Sequence, residues 1–217
     1  ICQDTGTPTF FVRVGTGFPY LAALMAAIPE AVRKATREVP LRPNTVHPLT
    51  GENPGDNTGR HIPHVTWLPV EGDKAEVFLL PKGGGSENCC ALKMLTPGVG
   101  LKGVKEAVVE HVVACGGKPC PPTIVGVGIG GTIEQTALLA KRALLREVGR
   151  PHPDPEVAEL EAELLRRINA LGTGPQGFGG TVTALAVHVE TFPAHIASMP
   201  VAVNIQCHSA RHKEAVL

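Results

Sequence analysis

Net charge is missing from this sequence: 20 Lys and Arg balance 20 Asp and Glu over 217 residues, and the isoelectric point falls near 7.3. Without a basic field, nothing in the composition draws nucleic acid or an anionic membrane surface. No apolar run approaches the roughly 20 residues that cross a bilayer, and no charged-then-apolar leader precedes the first motif, so a soluble cytoplasmic protein is the expectation. The six cysteines lack the spacing of a secreted disulfide framework, and no CxxC pair of the zinc-ribbon kind occurs among them. Reduced thiols are therefore expected. Nor do the nine histidines contain an HExxH pattern. With 43% apolar residues to bury, the chain suits one domain over residues 1–217, or one lobed domain of two parts.

What is present centres on residues 116–132, GGKPCPPTIVGVGIGGT, where Cys120 sits between prolines ahead of a glycine-rich strand-to-helix passage. Cys2 opens the chain in ICQDTG, and Cys207 lies near its end in NIQCHSARHKE, each beside polar groups and an apolar, strand-like run. These thiols from three distant places read as one site. A free cysteine is commonly buried as a small hydrophobe, and that reading is kept for Cys89, Cys90 and Cys115.

Between these points the chain alternates elements and loops. Phe10, Phe11, Val12 and Val14 favour a strand. Residues 20–39 read as a helix that Pro29 is expected to kink or divide. The following loop, 41–59, is dense in Pro, Gly, Asn and Asp, and a loop this long in a compact domain is usually functional or disordered. Arg42 enters it, placed to face an anion.

Residues 66–70 and 75–80 read as an antiparallel strand pair joined by a turn at 71–73. The pair delivers the chain to KGGGSENCC, where the glycines around Gly84 let backbone amides approach a carboxylate or a cluster, a flexible turn being the plainer alternative. Helices are expected over 104–115, ended by Gly116-Gly117, from the Thr132/Gln135 capping box to about 148, and from Asp154-Pro155 along Val157, Leu160, Leu164, Ile168 and Leu171. Strands are expected at 182–189 and 201–205, bracketing the histidine worth keeping, His195. The fold class is mixed α/β, with antiparallel and parallel pairs and about four substantial helices, in no doubly wound pattern.

Residues 126–131 satisfy GxGxxG, yet PHPDPE follows the next helix where a dinucleotide fold places its second strand and ribose-binding carboxylate. Tight strand-to-helix packing, with free amides at a helix N-terminus, is the preferred account of these glycines. A nicotinamide-dependent oxidoreductase and a non-catalytic zinc scaffold remain the alternatives from other classes.

ICQDTG, PKGGGSEN, ALKML, GGKPCPPTIVGVGIGGT, GPQGFGG, TALAVH and NIQCHSARHKEAVL together closely resemble the alpha-type catalytic domain of class I iron-sulfur hydro-lyases, the oxygen-sensitive fumarate hydratases and L-tartrate dehydratases. The resemblance runs from Cys2 to Leu217. It implies a 4Fe-4S cluster held by Cys2, Cys120 and Cys207 with one iron left open as a Lewis acid. It further implies a C4 dicarboxylate substrate met by Gln3, Asp4, Arg42 and Gly84, with Asp4 and His195 in catalytic roles. The carbon base is expected on a beta-type subunit, with paired alpha chains in a heterotetramer. Malate dehydration to fumarate is the expected reaction and tartrate dehydration its alternative. The chain opens at Ile1, directly against Cys2, so residues preceding this motif in the family are expected to be missing.

Overall fold

Apolar residues at alternate positions, Phe10, Val12 and Val14, make β1 (Thr7–Gly15) the centre of the first sheet in the computed structural model, which describes residues 2–217. The remaining elements are, in order, α1 (Leu21–Glu38), β2 (His64–Val70), β3 (Ala75–Lys82), α2 (Gly84–Glu87), β4 (Ala91–Leu95), α3 (Gly100–Cys115), β5 (Thr123–Gly130), α4 (Ile133–Ala143), α5 (Pro155–Asn169), β6 (Ala184–Phe192), β7 (Met199–Gln206) and β8 (Lys213–Val216). The fold is mixed α/β, with two mixed four-stranded sheets. The chain divides into two units, residues 1–84 with 211–217, and residues 85–210.

In the first unit the strand order is β2-β1-β3-β8, with β1 parallel to β2 and antiparallel to β3. The expected pairing of 66–70 with 75–80 is therefore replaced: β1 lies between those strands. The turn between them is anchored on the end of β1, where Gly15 donates to the Lys74 carbonyl at 2.8 Å and Gly17 to the Gly72 carbonyl at 2.8 Å. β1 supplies the most buried apolar row, so the sheet gains more from placing it centrally than from a local hairpin. Phe10, Val12 and Val14 meet Leu24, Ile28 and Val32 of α1.

The expected division at Pro29 does not occur, and α1 is one continuous helix of 18 residues. Proline in a helix interior costs about 3 kcal/mol, chiefly by removing a hydrogen bond to the carbonyl four residues back. That carbonyl belongs to Met25, on the exposed side, where water can satisfy it. The opposite stripe, Leu24, Ile28, Val32 and Thr36, is buried and holds the helix to the sheet.

In the second unit the order is β4-β7-β5-β6, with β5 antiparallel to β7 and parallel to β6. One face carries Val125, Val127, Val187, Val189, Val203 and Ile205 against α3 and α5. The other receives α4 at very short range: a Cβ on Gly126 would lie 2.1 Å from the Ala140 carbonyl oxygen, and one on Gly128 2.2 Å from that of Thr136. The glycines of the dinucleotide-like motif thus serve helix packing. Thr132 and Gln135 form the expected capping box, which occupies amides that were expected to be free, and α4 ends at Ala143, short of 148. No helix among the described residues is long and apolar enough to cross a membrane.

Candidate functional site

Asp4 is the most constrained of the candidate side chains in the first unit. Its Oδ1 accepts from the Gly6 amide at 2.8 Å and from Asn44 Nδ2 at 2.8 Å, while Oδ2 accepts from the Gly84 amide at 2.8 Å. A carboxylate held by three donors keeps a fixed orientation and retains lone pairs for a further donor. The Gly84 amide, which the family resemblance implies as a substrate contact, donates to Asp4 in this structure. Gln3 and Arg42 are exposed, Cys2 is half-buried, and the Arg42 guanidinium has no ion-pair partner among the described residues.

Cys120 and Cys207 belong to the second unit and lie at one end of its sheet, because β7 runs antiparallel to β5 and Ile124 faces Gln206. The two loops are tied directly: the His208 amide donates to the Cys120 carbonyl at 3.1 Å. Cys120 is exposed and adopts φ +54°, an uncommon conformation for a non-glycine residue that surrounding structure must hold. The GPQGFGG loop does so. Gln176 donates to the Pro121 carbonyl from its amide at 2.8 Å and from Nε2 at 3.2 Å, and Gly177 packs against Gly117 so closely that a Cβ would lie 2.7 Å from its Cα. Gln176 and His208 were not singled out from sequence. Their presence inside GPQGFGG and NIQCHSARHKE was the available signal.

The other thiols behave differently. Cys89 and Cys115 are buried, as expected, whereas Cys90 is only half-buried. Burial, reinforced by the neighbouring Cys89 thiol, pushes Cys115 up to about 11. Cys115 is therefore a protonated core residue at neutral pH.

His195 is exposed in the 192–199 connection, its Nδ1 accepting from the Ala197 amide at 3.1 Å. That bond leaves the proton on Nε2 in the neutral ring. A cavity of about 470 Å³ adjoins it, lined in part by Met94, Thr132, Ile133 and Ser198. Because β6 is parallel to β5, with Gly130 opposite Phe192, this histidine stands at the far end of the sheet from Cys120 and Cys207. The structure does not bring it to those thiols within this unit.

The donor set fits an iron-sulfur group in its chemistry. Cys2, Cys120 and Cys207 are at least partly accessible, and Cys207 Sγ already accepts from Gln206 Nε2 at 3.6 Å, a bond that favours a sulfur carrying negative charge. Neither unit alone assembles three His, Cys, Asp or Glu side chains around a common metal position among the described residues.

Sequence similarity defines the class of protein, a hydro-lyase. The profile described as fumarate hydratase (Fumerase) matches residues 1–216, and the chain belongs to that family. It is similar to a protein of Methanocaldococcus jannaschii provisionally named L(+)-tartrate dehydratase subunit alpha, with 48% identity over 218 residues, 97% of this chain and 75% of that protein. It is also similar to the L(+)-tartrate dehydratase subunit alpha of Escherichia coli K12, with 41% identity over 211 residues, 97% of this chain and 70% of that one.

Proposed function

We propose that this chain is the cluster-bearing alpha part of a hydro-lyase that reversibly dehydrates (S)-malate to fumarate. Cys2, Cys120 and Cys207 are the thiolates that would hold a 4Fe-4S cluster. The observation that carries the reading is the hydrogen-bonded pair of loops presenting two accessible thiols, Cys120 in a conformation held by the GPQGFGG motif. When bound, the cluster supplies a Lewis-acidic iron for a substrate oxygen.

The chain's own residues do the rest of the proposed work. Arg42, exposed and without an ion-pair partner among the described residues, takes a substrate carboxylate by a bidentate charge-assisted pair. Asp4, fixed by Gly6, Asn44 and Gly84, accepts a hydrogen bond from the substrate hydroxyl and orients it. Gln3 offers a carboxamide beside it. His195, at the opposite sheet end from Cys120 and Cys207, reaches a cluster only if a second copy of the chain supplies it. That requirement supports the paired alpha chains of the proposed heterotetramer. A beta-type subunit, implied by the relatives' names as alpha subunits, brings the carbon base, and a cytoplasmic setting keeps the thiols reduced.

Tartrate dehydration is the second reading, favoured by the names of both relatives. Anaerobic reconstitution with iron and sulfide, then iron counting and EPR before and after air, tests the centre. An oxygen-labile 4Fe-4S signal, absent in Cys120→Ser, is expected; zinc binding alone would overturn the cluster and the mechanism. Adding a beta-type subunit and assaying malate and L-tartrate side by side decides the substrate. Under the favoured reading Arg42→Ala raises KM about tenfold or more, the cost of losing a hydrogen bond to a charged group.

A further inference from the structure

The loop entered by Arg42 buries two adjacent polar residues, Asn57 at 1% and Thr58 at 6% exposed, and Asn57 is the deeper of the two. Its carboxamide is used on both sides. Oδ1 accepts from the Asn44 amide at 2.7 Å, while Nδ2 donates to the Arg42 carbonyl at 3.0 Å and to the Thr36 hydroxyl at 3.1 Å. Thr36 is buried on α1, its hydroxyl within 2.8 Å of the Val32 carbonyl and 3.0 Å of the Asp56 carbonyl. Asn57 therefore fastens the 42–44 segment to Thr36, on the same buried stripe that holds α1 to the sheet.

We propose that Asn57 is a positioning residue, fixing the segment that carries Arg42 and Asn44 and, through Asn44, the carboxylate of Asp4. The inference rests on the substrate-binding reading of Arg42 and Asp4. Asn44 is the link: its amide is held by Asn57 and its Nδ2 donates to Asp4 at 2.8 Å. A single side chain thus sets the register between a guanidinium for one end of the substrate and a carboxylate for its hydroxyl.

The residue type follows from the task. The backbone at Asn57 has φ +60°, which asparagine tolerates better than most residues, and the three bonds need a donor and an acceptor on one planar group. Aspartate would keep the acceptor, lose both donors and bury a charge. Glycine would keep the backbone conformation and lose only the clamp.

Asn57→Gly is accordingly the informative variant, assayed as the reconstituted alpha-beta enzyme. It is expected to raise KM about tenfold or more, with iron content and EPR signal equal to wild type, since no thiol ligand is touched. Combined with Arg42→Ala it adds less than its full effect, because the share exerted through Arg42 has nothing further to misplace while the share exerted through Asp4 remains. Raised KM in Arg42→Ala with unchanged KM in Asn57→Gly overturns this inference alone, as does full multiplication of the two effects. Unchanged KM in Arg42→Ala overturns the substrate reading and this inference with it. Hydrogen exchange on the wild-type chain tests the clamp without any substitution: the Asn44 amide is expected to be protected, and exchange at the rate of a free loop amide would overturn it.

Discussion

Burial decides the charge state of His188. It is 2% exposed on the sheet face that receives α4, with Nδ1 positioned to donate to the Ala143 carbonyl at 3.1 Å. Desolvation holds its pKa below the ordinary 6.5, and the Arg146 charge acts in the same direction against a smaller opposing effect of Glu161. The folded state therefore prefers the neutral ring. As pH falls below 6.5 the unfolded chain takes up a proton that the folded chain refuses, so stability is complete above that value and declines on acidification until the folded pKa is passed. Melting temperatures followed from pH 7.5 down to pH 5 should fall, and His188→Gln should flatten that part of the curve. The same logic separates the thiols. Cys115, pushed up to about 11, has almost no thiolate at neutral pH, whereas Cys120 is exposed. In the cluster-free chain, iodoacetamide followed by peptide mapping should modify Cys120 first and reach Cys89 and Cys115 only after denaturation. Early labelling of Cys115 would contradict its burial.

At the scale of elements, α5 is joined to its surroundings by one buried ion pair. Glu161, 6% exposed, pairs with Arg146 and also accepts from the Val189 amide at 2.7 Å and the His152 amide at 3.2 Å. One carboxylate thus satisfies the loop before α5, the strand β6 beside it and a guanidinium. Removing it leaves Arg146 largely buried without its main partner, so Glu161→Ala should cost about 3–5 kcal/mol in a denaturant melt. A loss below about 1 kcal/mol would show that the pair is solvent-relaxed. How legible such elements were depends on where their information lies. α3 and α5 were readable because apolar periodicity and end signals agree: Gly116 closes α3 with φ +54°, and Asp154 caps α5 by accepting from the Glu156 amide at 2.9 Å. β8 was not readable, since all four of its residues are exposed and no alternation marks them. The order β2-β1-β3 was invisible for another reason, because a parallel pairing of distant segments leaves no local trace. Within the candidate site, the motifs carrying Cys2, Cys120 and Cys207 stood out. Asn57 did not, since a side chain clamping loop backbone has no period to follow.

For the whole molecule, the decisive distance is the length of β5. Its eight residues separate the Cys120 end of the sheet from the Gly130 end beside His195, a span of about 23 Å at the usual strand rise. A group held by Cys120 and Cys207 therefore lies beyond the reach of this chain's own His195. If His195 acts in the proposed reaction, it does so across an interface, with each chain lending its histidine to the thiols of the other. Complementation tests this directly. His195→Ala keeps the three thiols and Cys120→Ser keeps the histidine, so each variant alone should be inactive in the presence of the beta-type subunit. When the two are co-expressed, half of the pairs are mixed and each mixed pair contains one intact site, so activity should return to roughly a quarter of wild type. No recovery, with mixed pairs demonstrated by differential tagging, would confine each site to one chain, and full activity in His195→Ala alone would remove the histidine from the mechanism.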